Sequence, residues 1–444
     1  MAHGRGVNFA RNLRSSLAAL VANTVVGLAF SILLARGLSE PERGVYAVAL
    51  TLALFVEFGA QLGQRLSVIY RIGRGGSERS VAVGAALVLS LAALAVVIAL
   101  SLAFADVLQR RVLAGAGRDI LLVALAIGVV EVISGLFEGV ARAVDRFALR
   151  NRATVASTML SFVAVALAVG PLGGWALAAL WAVCAARAFV GSWLVAASLR
   201  ETGVRLRGIG AELGPALRFG FPSYLQTLMG KIHERVDVVL LAALGVDAAQ
   251  IAAYAIAVNV VDRLRVVPDS VGSALLPQLA SLPHDETPAF TARIVRMTLF
   301  WVGAMALGLA LAAPPLLPAL FGSGYSASVV PFWILLPATV SLTFRRVLSN
   351  YFTASGEPGF NAAVQVVAVI VNIGVNLWAI PRFGIAGAAL ASLTSYGLEG
   401  VLTGIGFWRR SGLRPSEILV PPLAEIADQL RRARRQVLGE RSPG

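Results

Sequence analysis

Five ionisable residues lie close together in a segment that is otherwise apolar. The stretch GKIHERVD at 230–237 follows FGFPSYLQTLM and precedes VVLLAALG. A charge at the centre of a bilayer costs about 2.5–3.5 kcal/mol on insertion scales, so charged side chains there should face a protein interior and be paired. The ionisable residues are Lys231, His233, Glu234, Arg235 and Asp237.

A helix through this stretch separates the charges onto two faces. At about 100° per residue, Lys231, Glu234 and Arg235 share one face, whereas His233 and Asp237 share another. The i,i+3 spacing lets Lys231 pair with Glu234. Because one carboxylate neutralises one cation, the first face keeps a positive charge that suits a diphosphate, whose oxygens a guanidinium can bind bidentately. A salt-bridge network that only holds helices together is the alternative.

Other apolar runs also carry polar side chains on one helical face. Glu131, Ser134, Glu138 and Arg142 recur every three or four residues, which is the spacing of a helix face. We expect basic side chains to line a substrate cavity, and loop charges that obey the positive-inside rule are the competing explanation for those near the ends of runs. The candidates for the cavity are Lys231, Arg235, Arg65, Arg187, Arg263, Arg265, Arg345 and Arg346.

Carboxylates within the apolar runs are candidates for ion coupling. The sequence has no GxxxxGK[ST] loop for direct use of ATP. A carboxylate could instead couple transport to a proton or sodium gradient, or it could pair structurally with an arginine. The candidates are Glu57, Glu131, Glu138, Glu234, Asp237 and Asp262. Three histidines and one cysteine lead us to expect no metal site and no bound cofactor.

The composition is typical of a membrane protein. Of 444 residues, 57% are hydrophobic and 14% are charged, whereas soluble domains carry about 25% charged residues. A membrane-spanning helix needs about 20 mostly apolar residues. The sequence therefore predicts an all-α polytopic membrane protein with twelve transmembrane helices. The apolar runs lie near 15–36, 44–64, 80–105, 119–141, 153–170, 173–198, 217–244, 249–271, 290–313, 327–349, 360–380 and 384–407.

Arginines cluster in alternate loops between these runs. One such loop holds Arg142, Arg146, Arg150 and Arg152. Basic loops stay in the cytoplasm, so both termini are predicted to be cytoplasmic. The net charge of +14 therefore reflects membrane topology, and we expect no nucleic-acid partner.

The two halves of the chain resemble each other. PLGGWALAAL at 171–180 matches PRFGIAGAAL at 381–390 at six of ten positions. A duplicated six-helix unit predicts two lobes with a substrate site between them near the middle of the membrane. The predicted parts are an N-terminal lobe at 1–198, a cytoplasmic linker at 199–216, a C-terminal lobe at 217–408 and a basic amphipathic tail at 409–444. The tail is expected to lie on the anionic inner leaflet, and a solvated disordered tail is the alternative.

Several longer stretches resemble a known family. SILLARGLSEPERGVYAVAL in the first half, and RFGFPSYLQTL, SNYFTASGEPGFNAAV and VNIGVNLWAIPRFGIAGAALAS in the second, are similar in order and spacing to polysaccharide biosynthesis flippases. The chain resembles the O-antigen-flippase side of the multidrug/oligosaccharidyl-lipid/polysaccharide (MOP) exporter superfamily. The resemblance implies a MATE-like fold and alternating access. It also implies export of an undecaprenyl-diphosphate-linked oligosaccharide from the cytoplasmic to the outer leaflet, for surface polysaccharide such as lipopolysaccharide.

The resemblance further implies a bacterial inner-membrane protein, with membrane lipids, a polysaccharide polymerase and glycosyltransferases as partners. Two alternatives belong to the same superfamily. An ion-coupled multidrug exporter of cations should have an acidic cavity, whereas the face at Lys231 is basic. Lipid II flippases carry arginines inside their first helix, and LVANTVVGLAFSILL at 20–34 has none. An enzyme is not expected, because the predicted outer loops are short and PLGG and LFGSGY contain no charge.

Overall fold

The computed structural model describes residues 22–73, 78–113, 116–170, 175–283 and 285–419. These residues form helices joined by short turns, and no β-strand occurs among them. The predicted all-α class is therefore confirmed for this part of the chain. The N-terminal arginines and most of the predicted amphipathic tail lie outside the described residues.

Most helices are long. Apart from a short helical turn at Ala105–Val107 and a π-helical turn at Leu108–Val112, the first six are α1 (Ala22–Gly37), α2 (Glu40–Gln61), α3 (Gln64–Gly73), α4 (Arg79–Ala103), α5 (Arg118–Ala143) and α6 (Phe147–Val169). The next four are α7 (Ala176–Thr202), α8 (Gly210–Ala243), α9 (Ala248–Val261) and α10 (Val266–Ser281). The last four are α11 (Thr287–Phe321), α12 (Val329–Ala354), α13 (Pro358–Ser411) and α14 (Pro415–Leu419).

Eight helices among the described residues are long and apolar enough to cross a membrane. The chain is therefore a multi-pass membrane protein. The eight do not include α8, whose centre carries the charges of GKIHERVD, or α9, which has only 14 residues. Helix α13 covers two of the predicted spans, so the number of helices does not give the number of spans. The twelve transmembrane helices stay a prediction, and so do the cytoplasmic termini.

Three helices differ from the apolar runs. The seventh run, 217–244, lies within a longer helix, because α8 has 34 residues and begins at Gly210. A 3₁₀ turn at Asp262–Arg265 separates α9 from α10. The last two runs form the single segment α13, which is kinked at Gly384 with φ 55° and ψ −131°. Only glycine adopts this conformation readily.

The described helices form two compact units. The first contains residues up to Ile256 together with Leu316–Ser328 and Asn376–Ala388, and the second contains Ala257–Pro315, Val329–Val375 and the residues from Ala389 onwards. Helix α8 thus belongs to the first unit, where it packs against α2, α3 and α4. Within the linker predicted at 199–216, only 203–209 is non-helical. The two-lobe division stays a prediction.

Glycines on one face of α5 set the packing of the first unit. A Cβ on Gly128 would lie 2.6 Å from Val56 Cβ, and one on Gly139 would lie 2.8 Å from the Arg65 carbonyl oxygen. Small residues allow membrane helices to approach this closely. The approach brings the polar ends of α2 and α3 beside the polar face of α5, and Val68, Leu136 and Phe137 share the adjoining apolar core.

The second unit has its own apolar core. Leu275 and Leu279 of α10 pack with Val347 and Phe352 of α12 and with Phe407 of α13. Phe407 and the Tyr351 ring meet edge to face with centroids 4.9 Å apart. This core places the arginines of α12 near the carboxylates of α10 and α13.

Candidate functional site

Paired charges run through the interior of the first unit. Arg65 Nη2 of α3 lies 2.5 Å from Glu138 Oε2 of α5. Arg150 Nε of α6 lies 3.6 Å from the same oxygen. Arg187 of α7 pairs with Glu131 of α5. Two of the predicted cavity cations, Arg65 and Arg187, therefore have carboxylate partners from the predicted ion-coupling set.

Glu57 has a different kind of partner. Its Oε1 accepts a hydrogen bond from Gln61 Nε2 at 2.7 Å, one turn along α2. Gln61 in turn lies against Gly135 of α5, where a Cβ would come within 3.0 Å of the amide nitrogen. This bond joins a carboxylate to a neutral amide. Protonation of Glu57 would therefore break no ion pair among the described residues.

The predicted pair on α8 is present. Lys231 Nζ lies 3.0 Å from Glu234 Oε2, and the lysine side chain is 40% exposed whereas the glutamate is 16% exposed. Lys231 Nζ also lies 5.6 Å from the centroid of the Phe58 ring on α2, a distance at which a cation and a ring attract each other. Arg235, one position beyond Glu234, is partly buried. The lysine side chain is thus more exposed than that of its partner.

The other face of α8 is buried. His233 and Asp237 are both buried. Asp237 Oδ1 accepts a hydrogen bond from its neighbour Val238 N at 2.8 Å, and Oδ2 accepts one from the Tyr254 hydroxyl of α9. These contacts join α8 to α9 and give Asp237 a structural role. Whether it also takes part in ion coupling stays a prediction.

The predicted cations of the second unit also have carboxylate neighbours. Arg265 Nη1 lies 3.0 Å from Asp262 Oδ1 in the 3₁₀ turn that also holds Arg263. Arg346 pairs with Asp269. Arg345 Nε lies 3.5 Å from Glu399 Oε2, and Glu399 is 1% exposed.

Sequence analysis did not single out Asp269 or Glu399. Glu399 is the one charged residue in the run 384–407, and that isolation was the signal that could have identified it. A single charge in an apolar run requires a partner from another helix.

A polar cavity of about 250 Å³ opens within the first unit. Helices α5, α6 and α7 form its walls, and Phe30 of α1 adds an aromatic side chain. The ion pair of Glu131 with Arg187 and the carboxylate of Glu138 lie in its lining. Its hydroxyl groups belong to Ser134, Thr154, Ser157, Thr158 and Ser161.

The hydroxyl-bearing face of α6 was missed by sequence analysis. Thr154, Ser157, Thr158 and Ser161 occur at i, i+3, i+4 and i+7, which is one face of a helix. This periodicity was the available signal, but threonines and serines in a membrane helix commonly bond only to the backbone of their own helix. The cavity shows that these four side chains line a common space.

No group of three or more histidine, cysteine, aspartate or glutamate side chains that could hold a metal ion occurs in the described ranges.

The sequence model of a family described as polysaccharide biosynthesis protein matches residues 33–330. The chain belongs to this family. The match begins in α1 and ends at the start of α12, so it includes the charged pairs of the first unit and all of α8.

A relative from Haloferax volcanii bears the name "Probable low-salt glycan biosynthesis flippase Agl15". It is 22% identical over 184 residues, which are 40% of this chain and 39% of the relative. The match thus spans less than half of that protein.

Solved structures share the fold. The lipid II flippase MurJ, in an inward closed conformation, superposes with a TM-score of 0.73 at 15% identity over 89% of this chain and 87% of its own. An inward-facing multidrug resistance MATE transporter of the MOP superfamily has a TM-score of 0.65 at 19% identity over 88% and 94%. The chain therefore has the fold of MOP superfamily transporters.

Proposed function

We propose that this chain is a flippase that moves an undecaprenyl-diphosphate-linked oligosaccharide from the cytoplasmic to the outer leaflet of the bacterial inner membrane. The family membership supports a role in polysaccharide biosynthesis, and the fold supports membrane transport. A lipid-linked glycan is a substrate that fits both roles, because a polysaccharide built on a membrane lipid must cross the bilayer with that lipid.

The observation that carries the proposal is the environment of Lys231. Its side chain is 40% exposed on a helix whose flanks are apolar, and its partner Glu234 is mostly covered. A diphosphate that approaches Lys231 can accept charge-assisted hydrogen bonds, because the ammonium has three donors and Glu234 accepts one of them. Arg235 lies one residue beyond Glu234 on the same face, where its guanidinium can add a second contact.

The remaining predicted cations are assigned a secondary role. Arg65, Arg187, Arg265, Arg345 and Arg346 each pair with a carboxylate. Their side chains are 13–31% exposed, less than the 40% of Lys231, so these residues are proposed to organise the helices around the transport path. Arg263 shares the 3₁₀ turn with Arg265 and is placed in the same group.

The proposal is tested by removing both positive charges from the exposed face of α8. In a host strain that lacks the native gene, Lys231→Ala with Arg235→Ala should reduce surface polysaccharide at least tenfold, because the diphosphate loses its cationic partners. Lipid-linked oligosaccharide should accumulate inside. Arg218→Ala is the matched control, since Arg218 is an exposed arginine near the start of the same helix.

Protein abundance in the membrane, measured by immunoblot, must be equal for both variants and the wild type. Normal surface polysaccharide in a stable double variant would refute the proposal. Lipid II is the competing substrate. A strain that needs this chain for cell-wall growth, and not for surface polysaccharide, would favour lipid II.

A further inference from the structure

The cavity of the first unit offers mostly hydrogen-bond acceptors. Thr154 Oγ1 donates to the Arg150 carbonyl at 3.0 Å, and Thr158 Oγ1 donates to the Thr154 carbonyl at 3.1 Å. Each hydroxyl has therefore used its proton within α6 and presents only oxygen lone pairs to the cavity. A ligand that fits this wall must bring several hydrogen-bond donors.

Ser161 provides an observation that is independent of this pattern. It is 5% exposed, lines the cavity, and its Oγ has no hydrogen-bond partner among the described residues. A buried hydroxyl without a partner costs about 1–3 kcal/mol. A polar ligand in the cavity would relieve this cost, and the other serine hydroxyls of the wall can rotate to donate or to accept.

The cavity is lined by charges of both signs. Glu131 is paired with Arg187, and Glu138 lies near two guanidiniums. An anion would meet two carboxylates, and a small cation would meet the Arg187 guanidinium. A neutral ligand with many hydroxyl groups meets neither obstacle, and it can donate to the carboxylate and threonine oxygens while it accepts from the guanidinium.

The size of the cavity limits the ligand. Its volume of about 250 Å³ lies just below the roughly 300–1,000 Å³ of pockets that hold drug-sized molecules. This is room for one sugar ring but not for an oligosaccharide. Phe30 contributes an aromatic surface against which the C–H face of such a ring can pack.

We infer that this cavity binds one neutral sugar ring of the transported glycan. The inference rests on the proposed function, and it separates two binding tasks. The α8 cations hold the diphosphate, whereas the hydroxyl-lined wall of α6 recognises a sugar. Selection among glycans then depends on the cavity, because a diphosphate is common to every substrate of this class and a sugar is not.

The test uses the purified full chain in a detergent without a sugar headgroup. The probes are neutral methyl glycosides of glucose, galactose, mannose and N-acetylglucosamine, and binding is followed by tryptophan fluorescence and thermal unfolding. At least one glycoside should bind the wild type saturably. Ser161→Ala with Thr158→Val should raise its dissociation constant about three- to tenfold, the loss expected for one or two hydrogen bonds.

Ser192→Ala is the matched control, because Ser192 is exposed on α7 and donates to its own helix at Ala188 O. It should bind the glycoside as the wild type does. If the double variant unfolds at a lower temperature than the wild type, Ser157→Ala alone is the second variant. It should also raise the dissociation constant for the glycoside.

Three results would overturn the inference. One is the absence of saturable glycoside binding to the wild type. Another is equal affinity in the cavity variants and the Ser192→Ala control. The third is competition for the same site by sodium chloride or by inorganic diphosphate, which would identify an ion site. Failure of the proposed function is distinguishable, because it would appear as normal export by the α8 double variant.

Discussion

Glu138 lies within ion-pair distance of two guanidiniums, those of Arg65 and Arg150. Its side chain is 22% exposed and that of Arg65 is 30% exposed, so solvent screens the pair only in part. The geometry makes Glu138 the point at which α3, α5 and α6 are joined by charge. Its replacement should therefore act on the stability of the first unit.

We predict that Glu138→Gln lowers the stability of the protein by about 1–3 kcal/mol, since it leaves two half-covered arginines without a counter-charge. Thermal unfolding in detergent should show a lower transition temperature. Glu78→Gln is the control, because Glu78 and Arg205 form an ion pair in which both side chains are more than half exposed. Equal transition temperatures for the two variants would show that the Glu138 network is energetically unimportant.

Glu57 is the carboxylate of the first unit for which we predict a role in proton coupling. It accepts a hydrogen bond from the Gln61 amide rather than from a guanidinium. Glu57→Gln should keep a hydrogen bond with Gln61 and a normal amount of protein, yet reduce export at least tenfold, because an amide cannot take up and release a proton. Surface polysaccharide and protein abundance are the two measurements.

Glu131→Gln provides the contrast, because it breaks the pair with Arg187. This variant should lower protein abundance together with export. Wild-type export by Glu57→Gln would assign any coupling to another carboxylate.

Ion pairs within one helical turn were predictable from the sequence, and ion pairs between helices that are distant in the chain were not. The Lys231–Glu234 pair follows from i,i+3 spacing alone. The Arg345–Glu399 pair depends on how α12 and α13 pack. The cavity hydroxyls were missed for a related reason, since a polar stripe on one helix does not reveal which helices face it.

The kink of α13 is the feature of an individual helix that is most sensitive to one residue. Gly384 has φ 55° and ψ −131°, and a Cβ there would meet only Gln250 Oε1 at 3.5 Å. Space is therefore available, and the cost of a side chain comes from the backbone. Residues held in such regions cost about 1–3 kcal/mol.

We predict that Gly384→Ala lowers the transition temperature of thermal unfolding by several degrees. Gly374→Ala is the matched control in the same helix, because Gly374 has ordinary helical geometry and its Cβ would meet nothing within 4 Å. Alanine favours a helix over glycine by about 0.5–1 kcal/mol, so the control should be neutral or stabilising. A neutral result at Gly384 would mean that α13 straightens without penalty.

Apolar runs predicted the positions of the long helices well, but they did not predict breaks within them. The run 249–271 is divided by the 3₁₀ turn at Asp262–Arg265. Hydropathy measures how apolar a segment is, whereas these breaks depend on the φ and ψ angles of a few residues. The continuous helix α8 shows the converse, since its polar centre does not interrupt it.

For the molecule as a whole, the sequence supported the class and the family more strongly than the substrate. The family match over 33–330 and the shared fold agree with the resemblance found in the sequence. The same fold occurs in a lipid II flippase and in multidrug transporters. Substrate choice must then depend on particular side chains. The proposals assign diphosphate binding to Lys231 and Arg235, and selection among glycans to the cavity between α5, α6 and α7.

Reconstitution tests this assignment most directly. Purified protein in vesicles is supplied with undecaprenyl-diphosphate-linked oligosaccharide in both leaflets, and a glycosidase outside trims every glycan that becomes accessible. The wild type and Arg218→Ala should expose the inner pool. Lys231→Ala with Arg235→Ala should leave only the outer pool trimmed. Equal trimming by the double variant, or a wild type that moves lipid II but not the oligosaccharide, would contradict the account.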